Sequence, residues 1–205
     1  MLLPDFARVV YEKNPLVEVI CQFRFPTILR IGAAGDPARF QDVVRKEYPL
    51  YRLQEPSIEF RNLPKELSAI VDKLPLLKPA GPGAHRFSTK DSLRFISLSQ
   101  DFLAITESHY TRWELFREEV KKAEEALQSA YEPAFYTRIG LRYRNIISMR
   151  DLGLSDAKWS DLLQPHILAE LGSPEIMGAI EAIHTRCVIK TPEVPVGRIT
   201  LVHGL

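Results

Sequence analysis

Residues 135 to 147, Phe135-Tyr-Thr-Arg-Ile-Gly-Leu-Arg-Tyr-Arg-Asn-Ile-Ile147, constrain the fold more than any other stretch of the chain. Successive side chains of a β-strand point to opposite faces. Read this way, Phe135, Ile139, Leu141, Tyr143 and Ile147 share one face, and Tyr136, Arg138, Gly140, Arg142 and Arg144 share the other. The first face is made for burial against an apolar layer. The second lines up three guanidinium groups and is the leading candidate for a binding surface.

An apolar layer to cover such a strand is present just before it. Thr111-Arg-Trp-Glu114 has the spacing of a capping box, in which Thr111 accepts from the backbone and Glu114 reaches back. Behind it Trp113, Phe116, Val120, Ala123, Leu127 and Ala130 fall on one helical stripe, with Glu118 and Lys122 as a surface pair. At roughly 20 residues, this Thr111–Ala130 helix is long enough to lie diagonally across a sheet. Pro133 ends it.

Short alternating runs surround this helix. Residues 16 to 25 put Val17, Val19, Cys21, Phe23 and Phe25 on one face and Glu18, Gln22 and Arg24 on the other. His85–Thr89, Leu93–Ser97 and Phe102–Thr106 form a meander around Lys90-Asp91 and Gln100-Asp101 turns, so they are expected to be antiparallel neighbours. Asp36-Pro37 starts a helix carrying Phe40, Val43, Val44 and Tyr48, with Asp36 as the cap. Tyr51 to Phe60 reads as an extended segment bent at Pro56, and 61 to 83 as a short helix and an irregular connection. Beyond the arginine strand, Ser155 is expected to cap a helix through Trp159, Leu162 and Leu163. Ile167, Leu168 and Leu171 follow, then a short helix from Pro174 to Ala182. Ile183–Lys190 and Arg198–His203 are strands, parted by Pro192 and Pro195. Antiparallel strands with helices collected against them define an α+β class: one domain over residues 1 to 205, built on a strongly curved antiparallel sheet with the long helix across its apolar face.

Composition narrows the function. Formal net charge is +1, from 27 Lys and Arg against 26 Asp and Glu, which argues against a dedicated duplex-DNA binder. A local basic groove is compatible with that total. The 2 cysteines, Cys21 and Cys187, lie far apart, so no disulfide framework is expected and a reducing cytoplasm is the simpler setting. The opening Met1-Leu-Leu-Pro-Asp-Phe-Ala-Arg8 is not patterned as a signal peptide, and no window approaches the roughly 18 apolar residues of a membrane span.

Within the arginine face, each guanidinium offers a rigid fork of donors suited to phosphate or carboxylate. Gly140 would let a ligand approach the backbone, Tyr136 could stack a base or sugar, and Arg24 joins the set if its strand is a neighbour. The competing view is that the arginines pair with acids of the protein's own helices or simply solvate a half-exposed strand. A charge-lined phosphate tunnel is a further reading. It wants two acids on the first strand, where Glu18, Ile20, Gln22 and Arg24 supply one.

Other chemistry finds little support in the residues. His184 and Cys187 are three apart, which in a strand places them on opposite faces, and His85, His109, His166 and His203 have no ligand spacing, so no metal is expected. There is no nucleophile elbow, Walker-type phosphate loop or Rossmann fingerprint, and no cofactor is expected. The acids and lysines from Glu118 to Glu125 read as the wet side of the long helix. Two functions follow from the same arginines: a non-enzymatic module for an anionic ligand or an acidic partner protein, or a phosphate- or nucleotide-processing enzyme. Pairing of the terminal strand Arg198–His203 with another copy would make a homo-oligomer.

Asn14-Pro-Leu-Val-Glu-Val19, Phe23-Arg-Phe-Pro26, Tyr110-Thr-Arg-Trp-Glu-Leu-Phe116 and Arg138-Ile-Gly-Leu-Arg-Tyr-Arg-Asn145 together resemble the signature of a sporadically distributed bacterial family of conserved proteins of unknown function. The resemblance runs through most of the chain from Asn14 onward. It implies a bacterial cytoplasmic protein and carries no catalytic residues across. Members of that family continue with a further strand and helix. With the strand-like end at Gly197–Leu205, this makes a fragment or a shortened member the expectation.

Overall fold

The computed structural model describes residues 14–32, 35–54, 83–154, 156–191 and 197–204. The chain forms two compact units, Pro15–Ile146 and one that contains Ile147–Leu205. The expected short helix within 61 to 83, the bend at Pro56, the Ser155 cap and the prolines Pro192 and Pro195 lie outside the described residues.

Six antiparallel strands build the first unit: β1 (Leu16–Arg24), β2 (Leu50–Gln54), β3 (Ala84–Ser88), β4 (Arg94–Ser99), β5 (Phe102–Glu107) and β6 (Arg138–Asn145). Among the described residues their order is β2-β3-β4-β5-β1-β6, so β2 and β6 are the two edges and the sheet does not close. The meander read from the sequence is β3, β4 and β5, paired with registers such as Phe87 opposite Ile96 and Ile96 opposite Ile105. β1 then runs antiparallel to both β5 and β6, with Cys21 opposite Ile105 on one side and Leu141 on the other.

Register sorts the side chains into two faces. Val19, Cys21, Phe23, Phe87, Ile96, Leu98, Leu103 and Ile105 share one face and are buried. On it pack α1 (Pro37–Val44), through Phe40 and Val44, and α2 (Trp113–Tyr131), through Phe116, Val120, Ala123, Ala126 and Leu127. A 3-10 turn at Leu29–Gly32 adds Ile31 to the same core. The α+β class with one long helix packed on an antiparallel sheet is therefore what the periodicity of the sequence foretells.

Local details differ from the sequence reading in instructive ways. The N-cap of α2 is Arg112, one residue later than Thr111, and its side chain makes no cap bond. Asp36 has helical dihedral angles and makes no cap bond. Its carboxylate instead holds Arg30 at 3.1 Å and Arg39 at 3.8 Å. Lys122 pairs with Glu119 at 2.9 Å and with Glu47, not with Glu118. The stripe of α2 is as expected because burial of large apolar groups outweighs such surface choices.

Among its described residues the second unit holds four short helices and a pair of strands. α3 (Met149–Leu152) is capped by Ser148, which accepts from the Asp151 backbone, and ends at Gly153 in the left-handed region. α4 (Trp159–Leu162) starts at Lys158, whose backbone N–H donates to Asp161 at 3.1 Å. α5 (Pro165–Leu168), which buries Leu168, and a 3-10 turn (Ala169–Gly172) precede α6 (Pro174–Met177), shorter than the helix expected to Ala182. β7 (His184–Lys190) and β8 (Arg198–Gly204) pair antiparallel, Cys187 opposite Leu201. Among the described residues, no helix is long and apolar enough to cross a membrane.

Candidate functional site

The face of the six-stranded sheet turned away from α1 and α2 gathers arginines from four strands. β1 and β6 stand in a register that sets Arg24 opposite Arg138, Gln22 opposite Gly140, Ile20 opposite Arg142 and Glu18 opposite Arg144. At the other edge Arg52 of β2 stands opposite Arg86 of β3. This face therefore carries Arg24, Arg52, Arg86, Arg138, Arg142 and Arg144 with one acid on its strands, Glu18. The chain's near-neutral total is unevenly distributed.

The three β6 arginines are exposed. Among the described residues none of them makes an ion pair or a side-chain hydrogen bond, although Glu18 is directly across from Arg144. Arg138 folds back along its own strand, its guanidinium 3.6 to 3.8 Å from where a Cβ on Gly140 would sit. A Cβ there would meet Arg138 only at ordinary contact distance, so the guanidinium lies beside Gly140 and its backbone is not left bare for a ligand.

Arg24 does join the cluster as a neighbour of Arg138, but its charge is used. It holds Asp101 at 3.1 Å, with its guanidinium carbon 6.0 Å from the centre of the Phe102 ring. Arg86 lies over Phe95, its guanidinium carbon 3.5 Å from the ring centre. Burial first, and the positive charge of Arg52 second, lower the proton affinity of Arg86. Arg52, Arg86, Phe95 and Phe102 were not singled out from the sequence. Alternation within Tyr51–Gln54, His85–Ser88 and Arg94–Ser99 was the available signal, but it does not say which strands adjoin.

Tyr136 is not on the arginine face. It precedes β6, packs tilted against Phe23 with ring centres 5.2 Å apart, and donates its hydroxyl hydrogen to Glu124 Oε1 at 2.6 Å while accepting from Gln128. Its hydroxyl is pushed up to about 12 by burial and then by the Glu124 bond. The alternation of β6 does not extend back to it. Tyr136 ties the strand's entry to α2 and is a packing residue.

The apolar side of β6 is also other than expected. Ile139, Leu141 and Tyr143 share the face of the core, opposite Phe23, Cys21 and Val19, yet they are 62%, 45% and 45% exposed. α2 packs on β5, and the edge strand is left largely uncovered. Tyr143 alone finds an aromatic neighbour, edge-on to Tyr110 at 5.9 Å.

On the helix side, a cavity of about 510 Å³ is lined by Tyr51, Leu53, His85 and Phe87 with Pro37 and Gln41 of α1 among others. None of the six arginines lines it. Both His85 nitrogens are engaged, Nδ1 with the Tyr51 hydroxyl and Nε2 with the Ile31 carbonyl, each at 3.1 Å. Because Nε2 must donate to that carbonyl, Nδ1 is the acceptor from Tyr51. Burial keeps His85 below its ordinary value, against the Ile31 bond.

Cys21 is buried and its thiol is raised to about 11 by that burial, which leaves it unreactive. Among the described residues no group of three His, Cys, Asp or Glu is placed to hold a metal ion. The phosphate-tunnel reading needs a closed barrel, and the open sheet supplies none. No protein-family model matches the chain, and no curated protein is significantly similar to it.

Proposed function

We propose that this protein is a non-enzymatic binding module that recognises an anionic ligand or an acidic partner through the arginine-lined sheet face, in the bacterial cytoplasm. Arg138, Arg142 and Arg144 are its principal contacts. The observation that carries the reading is their exposure on one strand face with no acid in ion-pair range among the described residues. Unneutralised guanidinium groups side by side repel one another, and a carboxylate or phosphate relieves that repulsion while satisfying their forked donors. The enzymatic alternative lacks comparable support. It wants these arginines in a pocket with at least two acids, and the cavity beside α1 is lined by other residues.

Inorganic polyphosphate is a suitable probe. A variant with Arg138, Arg142 and Arg144 all changed to Ser should lose polyphosphate binding while its thermal unfolding stays near that of the parent, since exposed unpaired charges contribute little to stability. Unchanged binding in a folded variant would refute the reading. A variant that fails to fold would make the arginines structural.

A further inference from the structure

Resting on that reading, we infer that the exposed edge of β6 accepts an extended segment of a partner protein, one whose side chains alternate between acidic and apolar. The argument begins with the backbone. Phe25 donates its N–H to the Asp101 carbonyl at 3.1 Å, so Glu18, Ile20, Gln22 and Arg24, alternating with the residues that face β5, turn their backbone groups to β6 in a register unbroken from Arg138 to Arg144. Alternate residues of an antiparallel strand turn their backbone groups to opposite sides. The N–H and C=O groups of Arg138, Gly140, Arg142 and Arg144 are therefore turned to β1, and those of Ile139, Leu141 and Tyr143 face outward, where no described strand pairs with them.

The side chains define what fits there. Above the edge stand Arg138, Arg142 and Arg144, and below it the exposed Ile139, Leu141 and Tyr143. An added strand places alternate residues against each row. Acids opposite the guanidinium row and apolar groups opposite the other row satisfy both at once. Covered apolar area and paired charge then add to the backbone ladder.

A second copy of this chain fits poorly. Antiparallel pairing of two β6 strands with like faces together, for example centred on Leu141, sets Arg138 against Arg144 and Arg142 against Gly140. Like charges directly opposite are destabilising. The same row that attracts an acidic strand thus disfavours self-pairing, which is one way natural sheets keep edges from associating.

The test uses the whole chain and three fluorescent peptides: a decapeptide of alternating glutamate and valine, its scramble with acids and valines in separate blocks, and the alternating peptide N-methylated at every second residue. Polyphosphate serves as the charge-only probe. The inference expects the alternating peptide to bind, with affinity lowered about tenfold by changing Arg138, Arg142 and Arg144 to Ser. It also expects the N-methylated peptide, which keeps every side chain but loses the ladder, to bind little. Equal binding of all three peptides would overturn the inference while leaving the anion-binding reading intact, as would polyphosphate binding with no peptide binding. Binding of neither probe would overturn both. Dimerisation through β6 in sedimentation runs without peptide, abolished by Leu141→Lys, would overturn the acidic-strand assignment.

Discussion

Arg52 and Arg86 stand directly opposite one another on β2 and β3, two cations in a single cross-strand pair. A sheet selected for stability alone places opposite charges at such a site. Replacing Arg52 with Thr should therefore stabilise the protein by about 0.2–1 kcal/mol, and the gain should shrink as salt screens the repulsion. Urea unfolding at low and high salt measures both. A loss of stability on substitution would show that Arg52 has a structural partner.

Arg94 carries the opposite kind of relationship. It bridges Glu107 and Glu119, each at 2.8 Å, and so joins β4 and β5 to α2, while Tyr48 donates to Glu119 at 3.0 Å. Arg94→Ala takes the bridging cation from the largely buried Glu107 and leaves Glu119 with Lys122 alone, and should cost about 2–3 kcal/mol, somewhat below a fully buried pair because Arg94 is 27% exposed. Burial raises the Glu119 carboxyl, but the Lys122 bond, the Arg94 charge and the Tyr48 bond outweigh it and hold it below its ordinary 4.5. A depressed acid contributes stability above the unfolded value and loses it as pH falls through the folded one. Unfolding midpoints should thus drop with acidification below 4.5, less steeply in Glu119→Gln.

His85 gives a second pH dependence in a higher window. Its affinity for a proton is lowered by burial, so the unfolded chain takes up the proton first as pH falls through 6.5. Stability is complete above that value and declines below it, because a protonated Nδ1 can no longer accept from Tyr51. Between about pH 7 and pH 5 the parent should lose thermal stability more steeply than His85→Gln. Parallel slopes would contradict this.

At the C-cap of α2, Glu132 has φ +49°, a conformation that L side chains adopt at a cost. Its carboxylate also sits at the negative end of the helix. Glu132→Gly should stabilise by about 1 kcal/mol, seen as a raised urea midpoint with an unchanged slope. A neutral or lowered midpoint would mean that Glu132 makes a compensating contact.

Much of the fold was readable because burial imposes periods. The stripe Phe116, Val120, Ala123 and Leu127 of α2, the alternation Val19, Cys21 and Phe23 of β1, and the meander are all set by which side chains leave water. What periodicity leaves open is adjacency. That β1 lies between β5 and β6, bringing Arg24 to Arg138, depends on pairings distant in sequence, and so does the arrival of Arg52 and Arg86 on the same face. Alternation also overreached at Tyr136, where a bond to Glu124 and the Phe23 ring outweighed strand continuity. It overreached again at Ile139, whose apolar character promised burial that an edge strand does not receive. The capping motifs at Thr111 and Asp36 gave way for a related reason. A cap is worth only about 1 kcal/mol, and Asp36 finds two guanidinium groups instead.

The most direct test of the arginine face is an NMR titration of arginine-labelled protein with polyphosphate, following the side-chain Nε–H resonances. Those of Arg138, Arg142 and Arg144 should move together and saturably, while those of Arg39 and Arg45, already paired with Asp36 and Asp42, stay in place. Shifts spread evenly over all arginines, or none on β6, would contradict a ligand site there.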